Sequence, residues 1–439
     1  MNTKAYIVLA NGQVFEGKSF GATGCVTGEV VFTTGMTGYL ETLTDPSNYG
    51  QIILQTFPMA GDYGIIREDA ESSKAHAAGF IVREWCENPS NFRCQETLDQ
   101  YMKEQGVIGV CGVDTRALTK LLRDQGTMNG RIVSFSGDPK QDKEAAAELQ
   151  SIMHDLILNP SLEKHAGKIR LLEEIKEHRI ENHLEAVTGT AAGLQKEAQA
   201  VFEQALKYGA VPMDANGKKY ASYEAAVAKT GGAKVVLWDF GARASLTQEL
   251  QKRGLNVVAV DASTSCQQIL GMNPAGVVLS TGPGNPADYV LQTEEVRKLC
   301  ESFIPVLGIG LGHQLLALAQ GGKTVRLPYG HRGESQPVKN LSTGRVLITS
   351  QNCGYTVATD SLPETAVLTF ESVNDKTCEG LQYRSFPGLS VQFYPKTSGG
   401  RQDTGFVYDR FADMVAGLEF TSTTSSPCSF KALQAWVPA

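Results

Sequence analysis

The sequence predicts a two-domain α/β protein: a mixed β-rich N-terminal domain, then a helical insertion, then a C-terminal domain built on a doubly wound parallel sheet. Three observations predict it. At 439 residues the chain exceeds what one hydrophobic core usually serves. Short β-like runs punctuated by Gly and Pro occupy residues 1–133, whereas strand and helix text alternates across residues 234–420. Between them, residues 134–233 turn Lys-, Glu- and Ala-rich and read mostly as helix.

In the first domain the runs AYIVLANG, GEVVFTTG, GQIILQTFP and GFIVRE are read as strands. A helix follows where Leu118, Leu121 and Leu122 fall at helical spacing before a stop at Gly126. The insertion carries two amphipathic stripes, Leu149, Ile152, Met153, Leu156 and Ile157, then Leu194, Val201, Phe202, Ala205 and Leu206. Each stripe is read as one face packed on a neighbour. His154, His165, His178 and His183 lack the carboxylate or thiol company of a metal site. From Lys234 the β-branched runs VVLWDF, NVVAVD, GVVLS and PVLGIG alternate with helical text such as SLTQELQKRG and TEEVRKLCESF. That order implies a parallel sheet with its active site at the carboxyl ends of the strands. Residues 421–439 are read as a tail.

Composition excludes several classes. Hydrophobic residues make up 42% and charged residues 20%, which argues against a disordered or fibrous chain. A formal net charge of −7 leaves no basic footprint for nucleic acid. No stretch approaches the roughly 18–20 apolar residues of a membrane span, and the start MNTKAYIVLANGQVFEG has no long apolar segment of the secretory kind. Nine cysteines without a CxxC pair are the usage of reduced thiols in a cytoplasmic protein, with neither a zinc cage nor a disulfide framework.

Two turns are the candidates for chemistry. The run PVLGIGLGHQLLALAQGG, from Pro305 to Gly322, reads as buried strand, tight turn and apolar helix, the geometry of a nucleophile elbow with Gly310 at its apex. Taken alone, a glycine turn of this kind is more often just tight packing. The run TGPGNP, from Thr281 to Pro286, would present backbone N–H groups to a ligand, as an oxyanion hole does, but suits any sharp turn. GGKT at Gly321–Thr324 ends a helix instead of opening one and puts Ala317 where a phosphate-binding loop needs its first glycine, so that reading fails.

Taken together the segments resemble the small subunit of carbamoyl-phosphate synthetase, whose C-terminal half is a triad-type, class I glutamine amidotransferase. The resemblance is carried by GEVVFTTGMTGYLETLTDPSNYGQI, GFIVREWCENPSNFR and GVDTRALTKLLRDQGTMNG in the first domain. In the second it is carried by DFGARASL, LSTGPGNPAD, GIGLGHQLLALAQGGKTVRLPYGHRGESQPV, TSQNCGYTV and SVQFYPKTSGG. It implies a small-subunit N-terminal domain at residues 1–133 and an amidotransferase-like domain at residues 234–420. It also implies a glutamine pocket at Ser47, Gly282, Gly284, Leu311, Gln314, Asn352, Gly354 and Tyr355.

The pattern breaks at the chemistry. Where the family reads G-I-C-L-G-H-Q, this chain has Gly310 in place of the nucleophilic cysteine, and where it reads S-V-Q-Y/F-H-P-E, Tyr394 and Lys396 replace the base and its orienting acid. Amide hydrolysis in this family needs a thiolate to attack and an imidazole to move the proton. Glycine offers no nucleophile, tyrosine with an ordinary pKa of about 10 is no neutral-pH base, and an ammonium only donates. Losing such a nucleophile or base costs on the order of 10⁶ in turnover in a well-studied hydrolase. No histidine follows His331 to stand in for the base, and Cys353 is the one substitute thiol, read as a small residue beside the pocket because no base is at hand. The resemblance therefore implies a cytoplasmic pseudoenzyme, a synthetase small chain of pyrimidine or arginine biosynthesis. Its expected role is structural or allosteric, docked on an ammonia-using large subunit, with ATP and Mg bound only by that partner and no metal here. The alternative is a glutamine-binding regulatory paralogue with a different partner.

Overall fold

The computed structural model describes residues 3–138, 140, 142, 143, 146, 147, 150, 170–180, 183–189, 231–395 and 403–417. They group into two units, Met1–His183 with Pro328–Arg332, and Leu184–Leu327 with Gly333–Ala439.

The first unit contains strands β1 (Lys4–Leu9), β2 (Val14–Gly21), β3 (Gly24–Thr33), β4 (Ile52–Gln55), β5 (Met59–Ala60), β6 (Gly79–Ile81), β7 (Glu84–Trp85), β8 (Ile108–Cys111) and β9 (Met128–Ser134). Seven of them close into a barrel in the order β1-β2-β8-β6-β4-β3-β9, and β5 pairs with β7 apart from it. Closure removes the exposed edges that such short strands would otherwise present. Among the parallel neighbours β3, β4, β6 and β8, the last three are buried on both faces, which is why GQIILQ and GFIV read as continuous apolar runs instead of alternating ones. Ile52 and Leu54 point into one core with Ile7, Leu9 and Ile132, while Ile53 joins Val31 and Phe80 in another.

Local signals set the helices. Helix Leu98–Gln105 opens on a capping box between Thr97 and Gln100. Helix Thr115–Gln125 is capped by Asp114, buries Leu118 and Leu122, and stops at Gly126 (φ 87°), where a Cβ would lie 2.9 Å from the Pro328 carbonyl. Within the expected insertion, helix Arg170–Glu177 seats Leu172 and Ile175 against Val8 and Val133 of the barrel. Asn129 donates its side-chain amide to the carbonyls of Ile175 and His178. Both predicted stripes, Leu149 to Ile157 and Leu194 to Leu206, lie outside the described residues, as does the tail.

The second unit is a nine-stranded sheet of β10 (Lys234–Asp239), β11 (Asn256–Asp261), β12 (Gly276–Leu279), β13 (Val306–Ile309), β14 (Thr324–Asn340), β15 (Val346–Val357), β16 (Ala366–Ser372), β17 (Cys378–Tyr383) and β18 (Gly388–Val391). Their order is β11-β10-β12-β13-β18-β17-β16-β14-β15. The first five strands in that order, β11, β10, β12, β13 and β18, run parallel, as the sequence predicts. Successive residues of β10 face opposite cores. Val235 and Leu237 pack with helices Ala244–Lys252 and Phe406–Val415, whereas Val236 and Trp238 pack with helices Cys266–Gly271, Val290–Cys300 and Leu311–Ala319. That is the doubly wound arrangement, and the strand order reverses at β10, where β11 lies on one side and β12 on the other.

Candidate active site

The carboxyl ends of β10, β12, β13 and β18 converge on one region of the second unit. After β13 the Gly310 N–H donates to Val391 O (2.9 Å), extending the β13–β18 ladder by one residue. At Gly310 the chain then turns sharply, with φ 57° and ψ −110°, into helix Leu311–Ala319. An L residue is strained there. A side chain at 310 would still have room, since a Cβ would meet Thr281 Cγ2 at 3.2 Å and nothing else nearer than 3.7 Å. The helix start is tied to β12 by Gly312 N donating to Ser280 O (3.0 Å), an approach so close that a Cβ on Gly312 would sit 2.3 Å from Leu279 O. The elbow is thus fully built, and its apex carries no functional group.

The turn after β12 is cross-braced to the turn after β10. Ser280 Oγ accepts from Phe240 N (2.8 Å), and Thr281 Oγ1 donates to Gly241 O (2.9 Å). A Cβ on Gly282 would collide with Phe240 O at 2.3 Å, and Gly284 holds φ 86°. Asp239 Oδ1 accepts from Gly241 N and Ala242 N. Burial pushes the Asp239 carboxyl up to about 6 despite those two donors.

At the end of β18 the Tyr394 N–H donates to Ser350 O (2.9 Å), and the Arg243 guanidinium lies 4.3 Å from the centre of the Tyr394 ring. Tyr394 is 6% exposed and Arg243 8%. Arg243, Ser245, Thr281, Ile309, Tyr394 and Tyr408 line one shallow cleft there. Lys396 lies outside the described residues.

Gln314 commits both amide hydrogens, to Tyr355 O (2.7 Å) and Gln392 Oε1 (2.9 Å). Asn352, Gly354 and Tyr355 sit on β15, with Cys353 buried between them. Leu311 opens the elbow helix. Ser47 belongs to the first unit, in the turn Pro46–Asn48, where its N–H and hydroxyl both donate to Asp45 Oδ1. The neighbouring His313 is no replacement base. It is wholly buried, its Nδ1 lies 2.8 Å from Ser390 Oγ, and burial pushes its pKa down to about 3. Among the described residues no group of three His, Cys, Asp or Glu is placed to hold a metal, and no helix is long and apolar enough to cross a membrane.

Sequence reasoning missed the Arg243–Tyr394 stack and the Gln314–Gln392 bond. DFGARASL carries part of the family resemblance, and nothing in it sets the distance from Arg243 to a residue 151 positions later.

Residues 7–132 match the family model for the carbamoyl-phosphate synthase small chain, CPSase domain, and residues 236–414 match that for glutamine amidotransferase class-I. The carbamoyl phosphate synthase small chain of Syntrophotalea carbinolica is 41% identical over 412 residues, covering 94% of this chain and 98% of that one. This chain belongs to the carbamoyl phosphate synthase small chain family. The small chain of Clostridium perfringens is 40% identical over 93% of this chain and 98% of its own length, and that of Streptococcus agalactiae 36% over 94% and 98%. Within that family the chain has a glutamine amidotransferase domain whose elbow and bracing turns are in place around Gly310.

Proposed function

We propose that this small chain does not hydrolyse glutamine and acts as a structural or allosteric partner of a synthetase large subunit that takes ammonia as its nitrogen source. One observation carries the reading: the apex of a fully formed elbow is Gly310, and the side chain offered from the end of β18 is Tyr394. A covalent route through a thioester needs a thiolate at the first position and a proton acceptor at the second, and neither residue supplies its part. Lys396 in the acid position removes the hydrogen-bond acceptor that would orient a base. On this reading ATP and Mg are bound by the large subunit, this chain holds no cofactor or metal, and the complex works in the cytoplasm in pyrimidine or arginine biosynthesis.

The test is nitrogen transfer by the chain mixed with a synthetase large subunit, supplied with amide-labelled glutamine or with labelled ammonium. Label should reach carbamoyl phosphate from ammonium alone. Transfer from the glutamine amide would overturn the proposal.

A second reading, a glutamine-binding regulatory paralogue with another partner, is supported by the residues of the second unit that match the family's glutamine positions by resemblance. These are Gly282, Gly284, Leu311, Gln314, Asn352, Gly354 and Tyr355. Affinity capture separates the two readings: recovery of a large subunit supports the first, and its consistent absence supports the second.

A further inference from the structure

We infer that Arg243 and Tyr394 form a cation–π lock that closes the degenerate site, so that this chain lacks an open carboxamide cleft as well as a nucleophile. The inference rests on the silent-glutaminase reading and takes it one step further, from absent chemistry to absent substrate.

Amide hydrolysis at an elbow needs open space between the nucleophile position and the base position, because the carboxamide must sit within reach of both. In this chain Thr281 and Ile309, next to the elbow, line one shallow cleft together with Arg243, Tyr394 and Tyr408. The direction a side chain on Gly310 would take leads to Thr281, which is part of that lining.

Both members of the lock are held from behind. The Tyr394 backbone is fixed by its bond to Ser350 O. Arg243 is the extended residue before helix Ala244–Lys252, and its carbonyl accepts from Leu246 N (3.0 Å). That helix is in turn pinned to helix Phe406–Val415 by the buried Arg253–Asp409 pair at 2.7 Å. Tyr408, in the same lining, has the Arg253 guanidinium 5.1 Å from its ring centre. The Arg243 guanidinium is thus stacked on a tyrosine face with both residues buried, the setting in which a cation–π contact is at its strongest. Tyrosine gives the arginine an aromatic face for this contact, and opening the cleft means giving the contact up. A desolvated contact of this kind is equivalent to roughly a ten- to thirtyfold bias toward the closed state.

The test is calorimetric titration of L-glutamine into the full chain and into Tyr394→His, Arg243→Gln and Tyr394→Phe, with thermal melting to establish that each variant is folded. Wild type and Tyr394→Phe, which keeps the aromatic face, should give no saturable heat up to about 10 mM glutamine. Tyr394→His and Arg243→Gln should bind at least about tenfold more tightly than that limit. Tyr394→His restores the family residue, so it decides the question even where Arg243→Gln does not fold. Saturable binding by wild type or Tyr394→Phe, or no binding by a folded Tyr394→His, overturns the lock. Binding by wild type without ammonia release sinks the lock alone, whereas ammonia release sinks the silent-glutaminase reading as well.

Discussion

Replacing Gly310 by alanine tests whether the elbow is held in its strained shape by the packing around it. With φ 57° and ψ −110° the residue lies where L residues are held only under constraint, at about 1–3 kcal/mol. The new Cβ would also stand 3.2 Å from Thr281 Cγ2, a contact eased by a shift of a few tenths of an ångström. Alanine returns about 0.4–1 kcal/mol by restricting the unfolded chain. The net expectation is a loss of about 1–2 kcal/mol, or a melting temperature lower by about 3–6 °C for a unit of this size. Differential scanning calorimetry reads the shift, and Gly271→Ala supplies the control. Gly271 ends helix Cys266–Gly271 with nothing within 4 Å of its Cβ position, so alanine there should be neutral or stabilising. A Gly310→Ala protein as stable as wild type would show that the elbow relaxes freely, and the argument that packing fixes the turn would fail. The same strain applies to cysteine, so a nucleophile at 310 is carried at a cost in stability that glycine removes.

Gly310→Cys alone should release no measurable ammonia from glutamine, because Tyr394 supplies no base. The triple variant Gly310→Cys, Tyr394→His, Lys396→Glu should exceed the single variant by at least about 10³ in turnover, read by coupled ammonia assay. Alkylating the thiols of the wild-type chain should change no glutaminase signal, since the Cys353 thiol is buried; alkylation-sensitive activity would reinstate it as a nucleophile. Arg253→Ala should cost about 3–5 kcal/mol by stranding the buried Asp409 carboxylate, measured by urea unfolding, and Arg253→Met with Asp409→Leu should cost much less. In the second unit two groups oppose each other between about pH 4 and 6. His313, held neutral by burial down to about 3, loses stability for the fold as pH falls below its unfolded value. Asp239, raised by burial to about 6, regains stability as it takes up a proton over the same range. Their slopes, about 1.4 kcal/mol per pH unit each, nearly cancel, so Asp239→Asn should leave the unit losing stability steadily from pH 6 to 4 in pH-dependent melting.

The parts of the fold that were legible in the sequence are those set by local rules. VVLWDF, NVVAVD and GVVLS announced parallel strands because strands buried on both faces leave no polar alternation, and Gly126 announced a helix end through its backbone freedom. The antiparallel extension β14 to β17 was not read, because β14 mixes Arg, Pro, Gly and Gln on a strand that is only partly buried, so no period of two stands out. Barrel closure was equally invisible, since a ring of strands depends on pairings such as β1 with β9 that no local pattern encodes. At the site, the missing nucleophile and base could be read residue by residue against a motif. The Arg243 stack could not, because Tyr394 is judged from sequence by the proton chemistry it lacks and not by the cation it attracts.

Two of the three changed positions, 310 and 394, differ physically from the positions around them. Gly312 cannot bear a Cβ without striking Leu279 O, and Gly282 cannot without striking Phe240 O. Ser280 and Thr281 close hydrogen bonds that hold the two turns together. All of these serve the packing of strand ends and helix start, and they are needed whether or not glutamine is ever cleaved. Position 310 is different: its Cβ would press only on Thr281 Cγ2 at 3.2 Å, its backbone favours glycine, and only the thiolate's chemistry asks for more. Position 394 faces a cleft where an aromatic ring gains burial and a guanidinium partner. Once hydrolysis is no longer required, stability alone favours glycine at the first and is well served by tyrosine at the second. That accounts for an elbow kept intact around a vacant apex.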